Sequence, residues 1–173
     1  MAAEAHRGRR ARLRFRTLIR GWPWYYETTA IYPNENLLRS IPNTQDYFNR
    51  EMGAWAVAPY AFKPHTKRDT DGMSFFREDF VKRRAVAEAN THPNKARVAR
   101  ISVPQFRELE LEVQIDPNAN ELPGHTIVPE MQYKKNRTDN ERQRTKDRSQ
   151  RLAQFATKNG VYAPPGLPDP VPR

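Results

Sequence analysis

The stretch Arg97-Val98-Ala99-Arg100-Ile101-Ser102-Val103 decides the fold. Its β-branched residues are typical of a strand, and the following Pro104 suits the first turn of a short helix that runs through Leu109. Residues 111–115 then alternate apolar and polar side chains, which predicts a half-buried strand with an acidic outer face. A strand, a short helix and a second strand in close succession indicate a small α+β domain with a mostly antiparallel sheet.

The rest of the body divides into short elements separated by turn residues and prolines. Apolar periodicity and proline positions predict short helices over residues 33–39, 44–52 and 78–89. Alternating or β-branched runs predict strands over residues 54–58, 73–76 and 125–128. We expect one core to be shared by Trp55, Val98, Ile101, Leu111, Val113, Ile115, Leu152 and Phe155.

A long helix is predicted near the C-terminus. Thr138-Asp139-Asn140-Glu141 is a capping box, in which the Thr hydroxyl and the Glu carboxylate satisfy free amides at a helix start. We expect the helix to end at about Lys158, with Gly160 as its stop. Its second half carries an apolar stripe of Leu152, Phe155 and Ala156. Its first half is polar all round, so it either projects into water or is neutralised by a partner.

The excess positive charge lies in two short segments. Residues 1–20 carry seven arginines against one glutamate, and residues 134–151 carry eight basic residues against three acidic ones. Residues 21–133, by contrast, carry 13 basic and 15 acidic residues. A near-neutral body flanked by two strongly basic segments indicates a polyanionic partner.

These patterns divide the chain into four parts. A basic arm (1–20) precedes an α+β body (21–133), and a basic helix (134–160) follows whose second half packs on the body. The last part (161–173) is rich in proline, and we expect it to be extended rather than packed.

Composition excludes several classes of chemistry. The chain has no cysteine, so disulfides, Cys-containing zinc sites and thiol catalysis are excluded. Its four histidines have no metal-ligand spacing, and we expect neither a metal nor a cofactor. No stretch approaches the roughly 20 apolar residues of a membrane span. We expect a cytoplasmic protein, although an Arg-rich, acid-poor N-terminus also suits import into an organelle matrix.

One group of residues suggests catalysis, although no strong catalytic motif is present. Arg39, Asp71, Ser74 and His125 all lie at the ends of predicted elements, where sites are usually built. Together they would bind a phosphorylated ligand, or Asp71 would orient His125 as a base. The competing interpretation of His125 is a structural residue at the start of a strand.

A recurring order of short motifs runs through about residues 37–157. In sequence they are Arg39-Ser40-Ile41-Pro42, Ala61-Phe62, Asp71-Gly72-Met73-Ser74, Asp116-Pro117, Gly124-His125 and Leu152-Ala153. This order resembles a group of small, functionally uncharacterised prokaryotic proteins with the pattern R-x-I-P, A-F, D-G-x-S, D-P and G-H, closed by a helix with L-A. The resemblance implies a prokaryotic or phage-related origin and lends no activity.

The favoured hypothesis is a basic binding module that contacts nucleic acid or another polyanion as a component of a nucleoprotein or larger assembly. The basic residues expected to contact it are Arg7, Arg9, Arg10, Arg12, Arg14, Arg16, Lys134, Lys135, Arg137, Arg142, Arg144 and Arg148. One alternative is a small enzyme acting on a nucleotide-like anionic ligand. Another is a protein–protein adaptor of a prokaryotic defence-type locus, which would use the acidic strand face and the Pro-rich tail.

Overall fold

A computed structural model describes residues 30–172, apart from residues 52, 67–68, 93–94 and 117–123. The basic arm lies outside the described residues. The described chain is α+β, with a mostly antiparallel sheet and one long helix near its C-terminus. The fold class expected from the sequence is confirmed at this level.

The centre of the fold is a six-stranded sheet. Its strands are β1 (Asn36–Pro42), β4 (Met73–Arg77), β5 (Ala96–Ser102), β6 (Gln114–Ile115), β7 (His125–Val128) and β8 (Val161–Tyr162). They lie in the order β6-β7-β4-β1-β5-β8, and every neighbouring pair is antiparallel. A separate hairpin consists of β2 (Phe48–Glu51) and β3 (Ala54–Val57).

Helices cover both faces of this sheet. They are α1 (Arg83–Glu88), α2 (Val103–Glu108) and α3 (Asp139–Asn159), with 3-10 helices at Pro59–Phe62 and Pro129–Met131. Side chains alternate across a strand, so β1 sends Leu37 and Ile41 into the larger apolar cluster, where α3 adds Leu152. Leu38 points the other way, into a smaller cluster with Val86 of α1.

The expectation of one shared core was wrong. Val98 and Ile101 are three residues apart on β5, so they face opposite sides of the sheet and belong to different clusters. Leu111 and Leu152 lie in the larger cluster, and Trp55 and Val113 pack against it. Ile115 and Phe155 are only half-buried and lie in neither cluster.

Two predicted helices are strands. Residues 33–39 and 44–52 were expected to be helical, but β1 begins within the first range and β2 lies within the second. β1 pairs along its whole length with β5, from Asn36 opposite Ser102 to Pro42 opposite Ala96. Isolated helices this short are marginal in water. Pairing with the distant β5 for β1, and with the adjacent β3 for β2, outweighs a weak local preference.

Other predicted elements are confirmed, some with different first or last residues. The strands at β3, β4, β5 and β7, and the short helix after Ser102, lie within a residue or two of expectation. The helix expected over 78–89 begins only at Arg83, and the strand expected over 111–115 shortens to Gln114–Ile115. The long helix has its predicted capping box at Thr138 and ends at Gly160.

The proline-rich tail packs on the body, although we expected it to stay unpacked. Gln45 donates its backbone N–H to the Val171 carbonyl at 2.9 Å, and Asn43 Nδ2 donates to the Pro168 carbonyl at 3.1 Å. Proline has no N–H, so the tail contributes mainly carbonyl acceptors, although the Val171 N–H donates to the Asn43 carbonyl at 3.3 Å. Its backbone is extended at Val171, which forms a parallel bridge with Thr44.

Truncating two neighbouring apolar side chains of α3 tests this assignment of the core. Leu152 is fully buried, so Leu152→Ala should lower the free energy of unfolding by about 2–5 kcal/mol. Phe155→Ala should cost clearly less, because Phe155 is half-buried and outside both clusters. Urea denaturation of both variants measures the difference, and an equal or larger loss for Phe155→Ala would contradict the packing.

Candidate nucleic-acid interface

Arg39, one of the four catalytic candidates, is a buried structural residue. Its Nε donates to the Ala61 carbonyl at 3.2 Å and its Nη1 to the Ser74 carbonyl at 2.9 Å. Its Nη2 lies 3.8 Å from Asp69 Oδ1, and its guanidinium carbon lies 5.5 Å from the Phe75 ring centroid. Since the guanidinium is buried and holds three segments of the protein together, it has no open side for a ligand.

The structure does not bring the four candidates into one site. His125 lies opposite Phe76 on β4, and Phe76 lies opposite Leu38 on β1, so these three share one face of the sheet. Arg39 follows Leu38 and therefore points to the other face. Asp71 is exposed in the turn before β4. The enzyme hypothesis thus has no assembled Arg–Asp–Ser–His constellation to act through.

His125 is instead a buried imidazole at the end of β7. Its ring lies edge-on to Phe76 with centroids 5.3 Å apart, and neither ring nitrogen forms a hydrogen bond with a described residue. Its Nδ1 lies 3.3 Å from Asp116 Oδ2, without hydrogen-bond alignment. Burial lowers the pKa of His125 below its ordinary value, and the Asp116 carboxylate opposes this only in part.

The basic helix α3 is fixed to the body by its polar first half as well as its apolar second half. Ser149 Oγ is buried and donates to the Phe62 carbonyl at 2.8 Å. Arg148 donates to the Glu110 carbonyl at 3.2 Å, and Arg151 pairs with Glu108 at 2.6 Å. From the sequence, the polar first half of the helix was expected either to project into water or to be neutralised by a partner. In the structure, its polar side chains also bond to the body.

The helix has two flanks that face different parts of the body. Arg144, Arg148 and Arg151 follow one another at spacings of four and three, so they share the flank that contacts α2, here called the α2 flank. Thr157 accepts a 2.8 Å hydrogen bond from Val57 N and marks the opposite flank, the β3 flank. Lys146 precedes Thr157 by about three helical turns and lies on the β3 flank with Arg142.

The basic side chains expected to contact phosphate differ in how strongly they interact with other groups of the protein. Arg137 and Arg148 are half-buried, and they donate respectively to the Gln132 and Glu110 carbonyls. Lys134 and Arg142 make only exposed ion pairs, at 4.0 Å to Glu141 and 3.5 Å to Asp139. Exposed pairs of this kind hold their partners weakly, so they compete little with a phosphate.

Within residues 134–151, three basic side chains are exposed and have no ion pair with any described residue: Lys135, Arg144 and Lys146. Sequence reasoning named the first two and missed Lys146, although its spacing of four from Arg142 was visible. Tyr60 and Lys63, which are exposed on either side of the buried pair Ala61-Phe62, were not among the residues named from the sequence. The arm residues Arg7, Arg9, Arg10, Arg12, Arg14 and Arg16 lie outside the described residues.

No protein-family model, curated protein or solved structure matches this chain. In the part of the chain that the structure describes, no group of three His, Asp or Glu side chains is arranged to hold a metal ion. None of the described helices has the length and apolar character needed to span a membrane.

Removal of the Arg39 guanidinium tests whether it is structural. Arg39→Ala leaves Asp69 buried without its cation and removes donors from two buried carbonyls, so it should cost about 3–5 kcal/mol of unfolding free energy. The matched control is Arg84→Ala, which breaks an exposed pair with Glu88 and should change stability little. Chemical denaturation compares them, and unchanged stability for Arg39→Ala would return Arg39 to the list of ligand-binding candidates.

The buried His125 should make the fold sensitive to mild acid. Its folded pKa is lowered, so below about pH 6.5 the unfolded chain binds a proton there that the folded chain excludes. The free energy of unfolding should therefore fall as pH drops below about 6.5, while above it this contribution vanishes. His125→Gln should flatten that part of the profile, whereas His65→Gln, at an exposed histidine, should retain it. Equal profiles for the two variants would refute the assignment.

Proposed function

We propose that this chain is a basic binding module that contacts nucleic acid through α3 and the segment before it, as a component of a nucleoprotein assembly. The observation that carries the proposal is a set of three exposed cations, Lys135, Arg144 and Lys146, that have no ion pair with a described residue. Lys134 and Arg142 add two cations whose exposed ion pairs are weak. Exposed cations on one surface repel one another. Binding to a polyanion reduces that repulsion and releases the counterions of the polyanion.

The anchoring of α3 supports the proposal in a second way. Ser149 and Leu152 bind the inner side of the helix to the body, and Arg148 and Arg151 bind its α2 flank. The remaining cations are therefore presented on a helix that is already ordered. Less conformational entropy is lost on binding than if a disordered basic segment had to fold on its partner. The arm at residues 1–20, with its seven arginines, is proposed as a second contact.

Contacts of this kind are made to phosphates, so the proposal does not include recognition of a base sequence. Lysine acts at a phosphate as a point charge, and arginine bonds it with a planar fork. Such contacts position a protein on nucleic acid without reading it. Affinity should accordingly vary little with base sequence and fall steeply with salt.

Charge reversal at the two unpaired helix positions tests the proposal in the full chain. Arg144→Glu with Lys146→Glu should weaken binding to nucleic acid of any sequence. The slope of log K against log salt should become shallower by about 0.9 for each lost duplex phosphate contact, or about 0.7 on a single strand. Fluorescence anisotropy over a salt series measures both quantities.

The matched control changes the same amount of charge elsewhere on the surface. Lys82→Glu with Lys95→Glu reverses two exposed lysines outside α3 and should leave the salt slope near that of the unchanged protein. If the two double variants behave alike, α3 is not the interface. If the unchanged chain binds heparin but no nucleic acid, and only the α3 double variant weakens heparin binding, the partner is another polyanion.

A further inference from the structure

We infer that Tyr60, supported by Tyr47 and Lys63, is a stacking platform that makes the proposed interface selective for single-stranded nucleic acid. This inference rests on the proposed function and adds the class of nucleic acid. Tyr60 is 41% exposed, and it is one of two large apolar side chains that the described residues present so openly, the other being Tyr32.

The surroundings of Tyr60 suit a base and a phosphate. The Tyr47 ring lies 5.1 Å from it, centroid to centroid, at an angle of 52°, and braces one part of the ring. Lys63 Nζ lies 6.0 Å from the Tyr60 centroid and is exposed. A base stacked on the open part of the ring would carry its phosphate within reach of a cation, which is the combination that single-strand binding surfaces use.

The platform is held rigidly from below. Tyr60 belongs to the 3-10 helix Pro59–Phe62, whose Ala61 and Phe62 are buried. All three of its last carbonyls are satisfied, Tyr60 O by Lys63 N, Ala61 O by Arg39 and Phe62 O by Ser149. An aromatic ring on a backbone this well fixed loses little freedom when a base stacks on it.

The same hydrogen bonds connect the platform to the basic helix. Ser149 lies on α3 and bonds the residue two positions after Tyr60. Lys146 is about one turn before Ser149, on the flank where the hairpin contacts Thr157. Lys63 directly follows Phe62, whose carbonyl Ser149 bonds, so one cation lies close in sequence to each side of this contact. The hairpin adds a second pairing of this type, Arg50 at 5.9 Å from the Trp55 ring.

Stacking distinguishes single strands from duplexes because paired bases already stack on one another. A duplex offers this surface only its phosphates, and it gains nothing from Tyr60. A single strand offers both phosphates and open base faces. We therefore expect the full chain to bind a single-stranded oligonucleotide more tightly than a duplex of the same length, when both are measured at the same salt concentration.

The test compares a fluorescein-labelled single strand with its duplex in anisotropy titrations at one salt concentration. Tyr60→Ala should weaken single-strand binding about tenfold, within the range measured for loss of one base stack, and leave duplex binding unchanged. Tyr60→Phe keeps an aromatic face and should bind as the unchanged chain does. Tyr32→Ala, at the other exposed tyrosine, should have no effect on either nucleic acid.

The outcomes separate this inference from the proposed function. If the unchanged chain binds neither nucleic acid, the proposed function itself is wrong. If it binds both and Tyr60→Ala weakens neither, or weakens both equally, the basic interface stands and the stacking platform is refuted. Should Tyr60→Ala fail to fold, Tyr60→Leu keeps apolar contact with Tyr47 but has no aromatic face. Retained single-strand preference in that variant would overturn the inference.

Discussion

Most of this structure depends on the hydrogen bonds and the ion pair made by the buried guanidinium of Arg39. It lies on β1, near the middle of the sheet, and donates to the Ser74 carbonyl of β4 and the Ala61 carbonyl of the 3-10 helix. It also faces Asp69, whose other carboxylate oxygen accepts the His65 N–H at 2.7 Å. A buried charge is stable only when it is paired and hydrogen-bonded, so all these segments must be in place together for the fold to close.

This requirement extends from the core to the surface. The 3-10 helix that Arg39 bonds also accepts from Ser149, so the position of α3 depends on the same short segment. Exposed Tyr60 and Lys63 and the cations of α3 are thus presented by elements whose relative placement is set by buried polar contacts. A second buried pair, Arg77 with Glu35 at 2.6 Å, ties the end of β4 to the turn before β1 in the same manner.

These pairs also explain why the catalytic candidates were misleading. The sequence placed Arg39 and His125 at the ends of predicted elements, a position shared by ligand-binding and structural residues. In the structure His125 does begin β7, but Arg39 lies in the middle of β1. Burial separates the two roles. Arg39 is satisfied by protein groups on the face toward α3, whereas His125 is enclosed on the other face near Asp116, and a one-residue offset along the strands keeps them apart.

The sequence alone determined the features with local causes. The bounds of α3 follow from the capping box at Thr138 and from Gly160, and the alternation around Val98 follows from the pleat of one strand. The segregated charge of α3 was equally visible. Only the tertiary structure decided that β1 is a strand, because its hydrogen-bond partners on β5 are distant in the chain. It also brought Phe62 and Ser149 together across 87 positions, so the contact between the 3-10 helix and α3 has no local signal at all.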